Sequence, residues 1–138
     1  MAVNTQFSIA VHLLAGLAYR DDRETTSSHL AASVNTSPSF VRRTLAKLSR
    51  AGLVVTSTGK SGACRLAKPP AKISLLDIYQ AVDAPRAFAI HAYTEREVCP
   101  VSCNIKTALE RALSKTQTAM ETALGKIPLS EIVADVLK

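Results

Sequence analysis

The sequence has 138 residues, of which 47% are hydrophobic, so it can form one compact domain with a buried core but not two independent domains. No apolar run approaches the ~20 residues of a membrane span, and the N-terminus lacks the pattern of a secretory leader, so we expect a cytoplasmic protein with no membrane partner. Its net charge is +6, and its three irregularly spaced cysteines fit reduced thiols better than a disulfide framework.

Two helices are predicted at the start of the chain. Apolar residues recur at helical spacing over residues 5–20, which predicts a first helix with one buried face. Thr26 or Ser27 is placed to cap a second, shorter helix, and Asn35 ends it because asparagine tolerates the left-handed backbone of a tight turn. The side chains expected to face inward are Ile9, Ala10, Leu13, Leu14, Leu17, Ala18, Leu30, Ala31 and Val34.

A third helix is predicted over residues 38–51. Ser37 followed by Pro38 is typical of an N-cap and the first helical position, and Gly52 is typical of the residue after a helix end. The apolar side chains of this helix are Phe40, Val41, Leu45 and Leu48. The opposite, exposed side is expected to carry Ser39, Arg42, Arg43, Ala46 and Lys47.

After the third helix the apolar period changes from helical to alternating. Leu53 and Val55 precede a polar tip that contains Lys60, and Cys64 and Leu66 follow it on the same inward parity. This pattern predicts a β-hairpin. A helix, a helix-turn-helix and a hairpin in this order form a winged helix-turn-helix, in which the third helix enters the major groove of DNA and the hairpin is the wing.

Positive charge is concentrated in this first half of the chain. Residues 1–72 contain ten Lys or Arg against three Asp or Glu, whereas residues 73–138 contain seven against eight. Between Glu24 and Asp77 there are eight Lys or Arg and no acidic side chain. A solvated surface ordinarily interleaves both signs, so this segment indicates a face that meets an anionic partner, for which nucleic acid is the obvious candidate.

The charge and the element order therefore agree on double-stranded DNA as the partner. A carboxylate in the recognition helix or wing would repel phosphates, whereas Lys and Arg contribute phosphate contacts and the start of the helix reads base edges. The predicted DNA-binding residues are Ser37, Ser39, Arg42, Arg43, Lys47, Thr58, Lys60 and Ser61.

The second half of the chain is predicted to be helical. A fourth helix begins at Ser74 and ends before Pro85, with Leu75, Ile78, Tyr79 and Val82 inward. After a linker without clear periodicity, a long helix begins at Pro100 and continues to about Ala123, and a short helix over 129–137 is expected to fold back on it.

The long helix carries an apolar stripe with spacing close to that of a coiled coil, which predicts a homodimer interface. The predicted interface residues are Ile105, Leu109, Ala112, Thr116 and Met120. In the alternative interpretation the stripe covers the first domain of its own chain. The predicted organisation is a winged helix-turn-helix domain over residues 1–83, a linker over 84–98, and a dimerisation helix with a C-terminal helix over 99–138. The fold class is mainly α with a small β-hairpin.

These segments resemble the bacterial Rrf-two family of winged-helix transcription regulators. The resemblance is strongest in "LAKLSRAGLV", in the wing with "RLAKPP", and in "ISLLDIYQAVD". The family includes an iron–sulfur cluster regulator, a nitric-oxide-sensitive repressor and a cysteine-metabolism repressor. The resemblance implies a homodimer that binds a palindromic operator and represses or activates nearby genes, with the long helix as the dimer interface. Of the two, we expect a transcriptional repressor.

The cysteines depart from the pattern of many family members, which hold an iron–sulfur cluster with three cysteines after the fourth helix. This chain has only Cys99 and Cys103 there, so we expect no metal and no cofactor, and a cluster-sensing regulator remains an alternative. Cys64 is expected to fill core space. If Cys99 caps the long helix, the helix dipole favours its thiolate and Cys103 is a candidate resolving thiol, which suggests redox sensing. The other interpretation is a pair of unreactive buried residues.

An enzyme is not indicated, because the sequence has no phosphate-cradling glycine motif, no nucleophile–base signature and no pair of carboxylates in a plausible cleft. A winged helix that binds a protein partner instead of DNA is the competing class. It would be favoured by an uncharged or acidic recognition helix, and Arg42, Arg43 and Lys47 argue against it.

Overall fold

A computed structural model of the chain describes residues 4–20, 25–57 and 63–138. The predicted class, mainly helical with a small sheet, is confirmed. The helices are α1 (Gln6–Tyr19), α2 (Ser27–Val34), α3 (Pro38–Arg50), α4 (Leu75–Ala81), α5 (Pro100–Gly125) and α6 (Leu129–Val136). The strands are β1 (Thr25–Thr26), β2 (Val54–Thr56) and β3 (Ala63–Leu66), and a 3-10 turn spans Pro70–Lys72.

The predicted helix ends are confirmed because their signals are local. The side-chain oxygens of Thr26 and Ser37 each accept the N–H three residues further on, which caps α2 and α3. Asn35 ends α2 with φ 62°, and Gly52 follows α3 with φ 79°. Ser74 begins α4 with a reciprocal capping box to the carboxylate of Asp77.

The hairpin belongs to a three-stranded antiparallel sheet in the order β1-β3-β2. The two-residue β1 was not predicted, because no periodicity can show in so short a strand. The inward placement of Val55 was also wrong. Leu53 still belongs to the turn out of α3, where its N–H donates to the carbonyl of Leu48, so the strand alternation begins one residue later. Leu53 and Val54 are therefore buried, and Val55 is 42% exposed.

The core lies between α1, the sheet and the helices packed around them, and it includes α6. Leu129 is fully buried, and its N–H donates to the carbonyl of Ile73 at 2.7 Å. The N–H of Leu75 donates in turn to the carbonyl of Ile127 at 2.9 Å. The prediction that the last helix folds back on the long helix was wrong, because α6 packs chiefly on α1 and the 3-10 turn. The division into 1–83, 84–98 and 99–138 stays a prediction.

Within the three described stretches, no helix combines the length and the apolar character needed to cross a membrane.

Candidate nucleic-acid interface

The predicted recognition helix, α3, packs one face into the core and presents the opposite face to solvent. Thr44, which was not predicted to be inward, is fully buried, and its hydroxyl donates to the carbonyl of Phe40 at 3.0 Å. Phe40 itself is only half-buried, contrary to the expected inward position. Helical geometry then places the predicted side chains of Ser39, Arg42 and Arg43 on the exposed face.

The two arginines of this face are held by neighbours on the same helix. Arg42 Nη2 donates to Ser39 Oγ at 3.3 Å, and the guanidinium of Arg43 lies 5.7 Å from the centre of the Phe40 ring. Both contacts are between residues three apart, so they orient the guanidinium groups toward the N-terminal half of α3. Ser37 caps the same end, where free backbone N–H groups favour an anion.

Lys47 differs from the arginines. Its side chain is half-buried, and Nζ donates to Oε1 of Gln6 at the start of α1, at 3.4 Å. The sequence pattern placed Lys47 on the free face of α3, because a helical period cannot show that the N-terminus of α1 lies beside it. Lys47 therefore joins α3 to α1.

The described part of the wing is its pair of strands, β2 and β3. The predicted contacts Thr58, Lys60 and Ser61 lie outside the described residues. Below them, the N–H of Ser57 donates to the carbonyl of Ala63, and Arg65 is exposed on the outer side of the sheet. This places one further cation on the hairpin that follows the recognition helix.

Cys64 is buried beneath the wing, as predicted. Its thiol donates to the carbonyl of Thr25 at 3.3 Å, and burial raises its pKa to about 11. The thiol therefore remains protonated near neutral pH, which makes Cys64 a structural residue.

Cys99 and Cys103 lie at the start of α5. Cys99 is the N-cap, and its sulfur accepts the N–H of Ser102 at 3.4 Å, while the thiol of Cys103 donates to the carbonyl of Arg96 at 3.3 Å. Within the described residues, no third His, Cys, Asp or Glu joins them in a group that could hold a metal. Two thiols without a third donor do not fit an iron–sulfur cluster.

The predicted dimer residues on α5 fall into two groups. Ala112 and Thr116 are exposed, whereas Ile105, Leu109 and Met120 are half-buried within the single chain. The exposed group continues along the same side of the helix with other small or apolar side chains, namely Val101, Ala108, Ala119 and Ala123. We call this set, with Ala112 and Thr116, the exposed stripe of α5.

Gln117, which the sequence pattern did not single out, is 6% exposed, and its amide oxygen and nitrogen each make a hydrogen bond. It lies four residues after Leu113 and three before Met120, at a position of the inward face where an apolar residue is expected. A polar residue at an apolar position was the available signal.

Comparison with known proteins agrees with this architecture. YwnA of Bacillus subtilis (strain 168), provisionally named an HTH-type transcriptional regulator, is 36% identical over 132 residues, which are 95% of this chain and 96% of YwnA. A crystal structure described provisionally as a DNA-binding protein is 34% identical, with a TM-score of 0.74, over 92% of this chain and 97% of that one.

A transcriptional regulator from Lactobacillus plantarum, also provisionally named, has the same fold with a TM-score of 0.82 at 24% identity, over 96% of this chain and 89% of that one. The family described as Rrf2, iron-dependent transcriptional regulators, matches residues 3–135. Because this match spans nearly the whole sequence, the chain belongs to the Rrf2 (Rrf-two) family of transcriptional regulators.

Proposed function

We propose that this protein is a homodimeric transcriptional repressor that binds a palindromic operator through α3 and the wing. One observation carries the proposal: the exposed face of α3 presents Ser39, Arg42 and Arg43, two of them cations already oriented by short-range contacts. In a helix-turn-helix this is the face that reads base edges in the major groove. We propose a cytoplasmic location, because a repressor must be in the compartment that holds the DNA.

The proposed dimer rests on α5. This helix has 26 residues and is therefore about 39 Å long, yet Gln117 is its one buried residue within the single chain. A helix of such length with an apolar stripe gains stability by burying that stripe, and a second copy supplies an identical surface. The exposed stripe consists mainly of alanine, which lets two helices approach closely. A two-fold axis along this contact presents two copies of α3 to successive turns of DNA.

The test of this function is selection of binding sites from random double-stranded DNA by the full-length protein. We expect an inverted repeat whose half-sites are centred about 34–36 Å apart, one turn of the double helix. Affinity for the selected site should exceed that for random DNA by about 10³-fold or more at physiological salt. Enrichment of no sequence would contradict the proposal and favour the competing winged-helix module that binds a protein.

A second element of the proposal is thiol sensing at Cys99 and Cys103. The observation that favours it is the N-cap position of Cys99, with the sulfur in contact with a helix N–H and Cys103 one turn further on. Oxidation by a peroxide would join the two sulfurs, with the two electrons and two protons passing to the peroxide to form water. Because residues four apart in a helix lie at the long end of disulfide Cα separations, the first turn of α5 must open.

Mild peroxide treatment should therefore weaken operator binding by about tenfold, or ~1.4 kcal/mol, in the wild type and leave Cys99→Ser unchanged. Mass spectrometry after alkylation at neutral pH should show Cys99 modified in the folded protein, with Cys64 as the internal control that stays unmodified. Unreactive Cys99 together with unchanged binding would contradict thiol sensing and leave a DNA-binding dimer without a redox switch.

A further inference from the structure

Gln117 joins three parts of the molecule that the sequence keeps far apart. Its Nε2 donates to the hydroxyl of Tyr79 on α4 at 2.9 Å, and its Oε1 accepts the N–H of Ala87 at 3.0 Å. The hydroxyl of Tyr79 donates to the carbonyl of Pro85. A buried amide with both ends paired is directional, because any rotation or shift of α5 would leave a polar group unpaired.

The same network reaches toward the recognition helix. The ring of Tyr79 packs edge-on against Phe7 of α1, with centroids 5.9 Å apart. The neighbouring residue, Gln6, accepts the hydrogen bond from Lys47 of α3. The contacts therefore form a continuous path from Gln117 of α5 through Tyr79 of α4 to Phe7 of α1. Gln6, the neighbour of Phe7 in the chain, completes the path to Lys47 of α3.

The attachment of α5 to the core of the winged-helix domain lies in its C-terminal half, whereas its N-terminal half contacts the linker, where the hydroxyl of Tyr93 donates to the carbonyl of Ser102 and the N–H of Arg96 donates to Ser102 Oγ. Leu124 packs against the core, and the chain just after the helix is fixed by the hydrogen bond from Leu75 to Ile127. Toward the N-terminus, Gln117 is the last buried residue of α5, and α4 is the helix it chiefly packs on. From Gln117 to Pro100 the helix extends over 17 residues, or about 25 Å, and a tilt of about 5° at Gln117 moves its far end by roughly 2 Å.

We infer that Gln117 is a positioning residue that sets the angle between α5 and the DNA-binding domain, and thereby the half-site spacing that the dimer accepts. The inference rests on the proposed function, since spacing has meaning only for a dimer on an operator. In a two-fold dimer the change of angle occurs in both subunits, so a displacement of about 2 Å in each adds to as much as about 4 Å between the two DNA-binding domains. One base-pair step is about 3.4 Å along the DNA axis, so a loosened angle is large enough to weaken the discrimination between operators of different spacing.

The test compares wild type, Gln117→Leu and Tyr79→Phe on the selected operator and on operators with the spacer one base pair shorter or longer. Gln117→Leu keeps the approximate side-chain volume and removes both hydrogen bonds, and Tyr79→Phe removes only the hydroxyl. Gln80→Leu, at an exposed position of α4, is the matched control. Binding to a single half-site, dimer mass and melting temperature are measured for each protein.

We expect wild type and Gln80→Leu to prefer one spacing by about tenfold, and both test variants to reduce that preference to about threefold or less. Half-site affinity should be unchanged, which a general loss of structure would not produce. The double variant should lose no more of the spacing preference than either single variant, because both substitutions break the same hydrogen-bond network. If the wild type selects no operator, the proposed function fails; if it does and both variants keep the wild-type spacing preference, this inference is wrong. If Gln117→Leu does not fold, Tyr79→Phe alone decides.

Discussion

Replacing Arg42 and Arg43 together by alanine should sharply weaken specific operator binding. Each arginine that reads a base contributes about 1–3 kcal/mol of discrimination, so the pair should lower the affinity by about 30-fold or more. The fold should persist, because both side chains are exposed and their contacts within the described part of the chain are with Ser39 and Phe40 of the same helix. Fluorescence anisotropy with the selected operator and with random DNA measures the loss.

The single variants separate two roles. Substitution of an arginine that reads a base should relax the preference at one operator position. Substitution of an arginine that contacts a phosphate should weaken binding to all DNA sequences alike and lower the salt slope of log K by about 0.9. Arg111→Ala with Lys126→Ala removes the same charge from exposed positions elsewhere and is the matched control. Unchanged binding by the Arg42/Arg43 double variant would remove α3 from the interface.

Replacing Ala112 by glutamate should dissociate the proposed dimer. Ala112 is exposed in the single chain, so the charge is tolerated there, whereas in the dimer it would be buried without a partner at a cost of several kcal/mol. Leu109 is a less informative position, because it is half-buried within its own chain and a charge there would also disturb the monomer. Light scattering should report the monomer mass of 14.7 kDa, and operator affinity should be lost.

Thr107→Glu is the matched control, because Thr107 is also exposed but lies on the opposite side of α5. It should remain dimeric and bind the operator like the wild type. An Ala112→Glu protein that stayed dimeric would show that the exposed stripe of α5 is not the interface. The alternative role of the apolar residues on α5, covering their own chain, would then rest on Ile105, Leu109 and Met120, which are half-buried within the single chain.

Local signals in the sequence were sufficient for the order and the limits of the main helices. Caps, the left-handed Asn35 and the residue Gly52 after α3 are decided by contacts within a few positions along the chain. The cationic face of α3 followed from the helical period and from the absence of acidic residues between Glu24 and Asp77. These features depend on neighbours in sequence, and the sequence therefore determined them by itself.

Only the tertiary structure decided which elements share a core and which polar side chains meet. The packing of α6 on α1, the pairing of β1 with β3 and the contact of Lys47 with Gln6 join residues far apart in the chain, so no periodicity reveals them. Gln117 is the clearest case, since its burial depends on Tyr79 and Ala87, which are 38 and 30 residues away. A polar residue is stable at an inward position only when such distant groups satisfy its hydrogen bonds, and that condition is set by the fold.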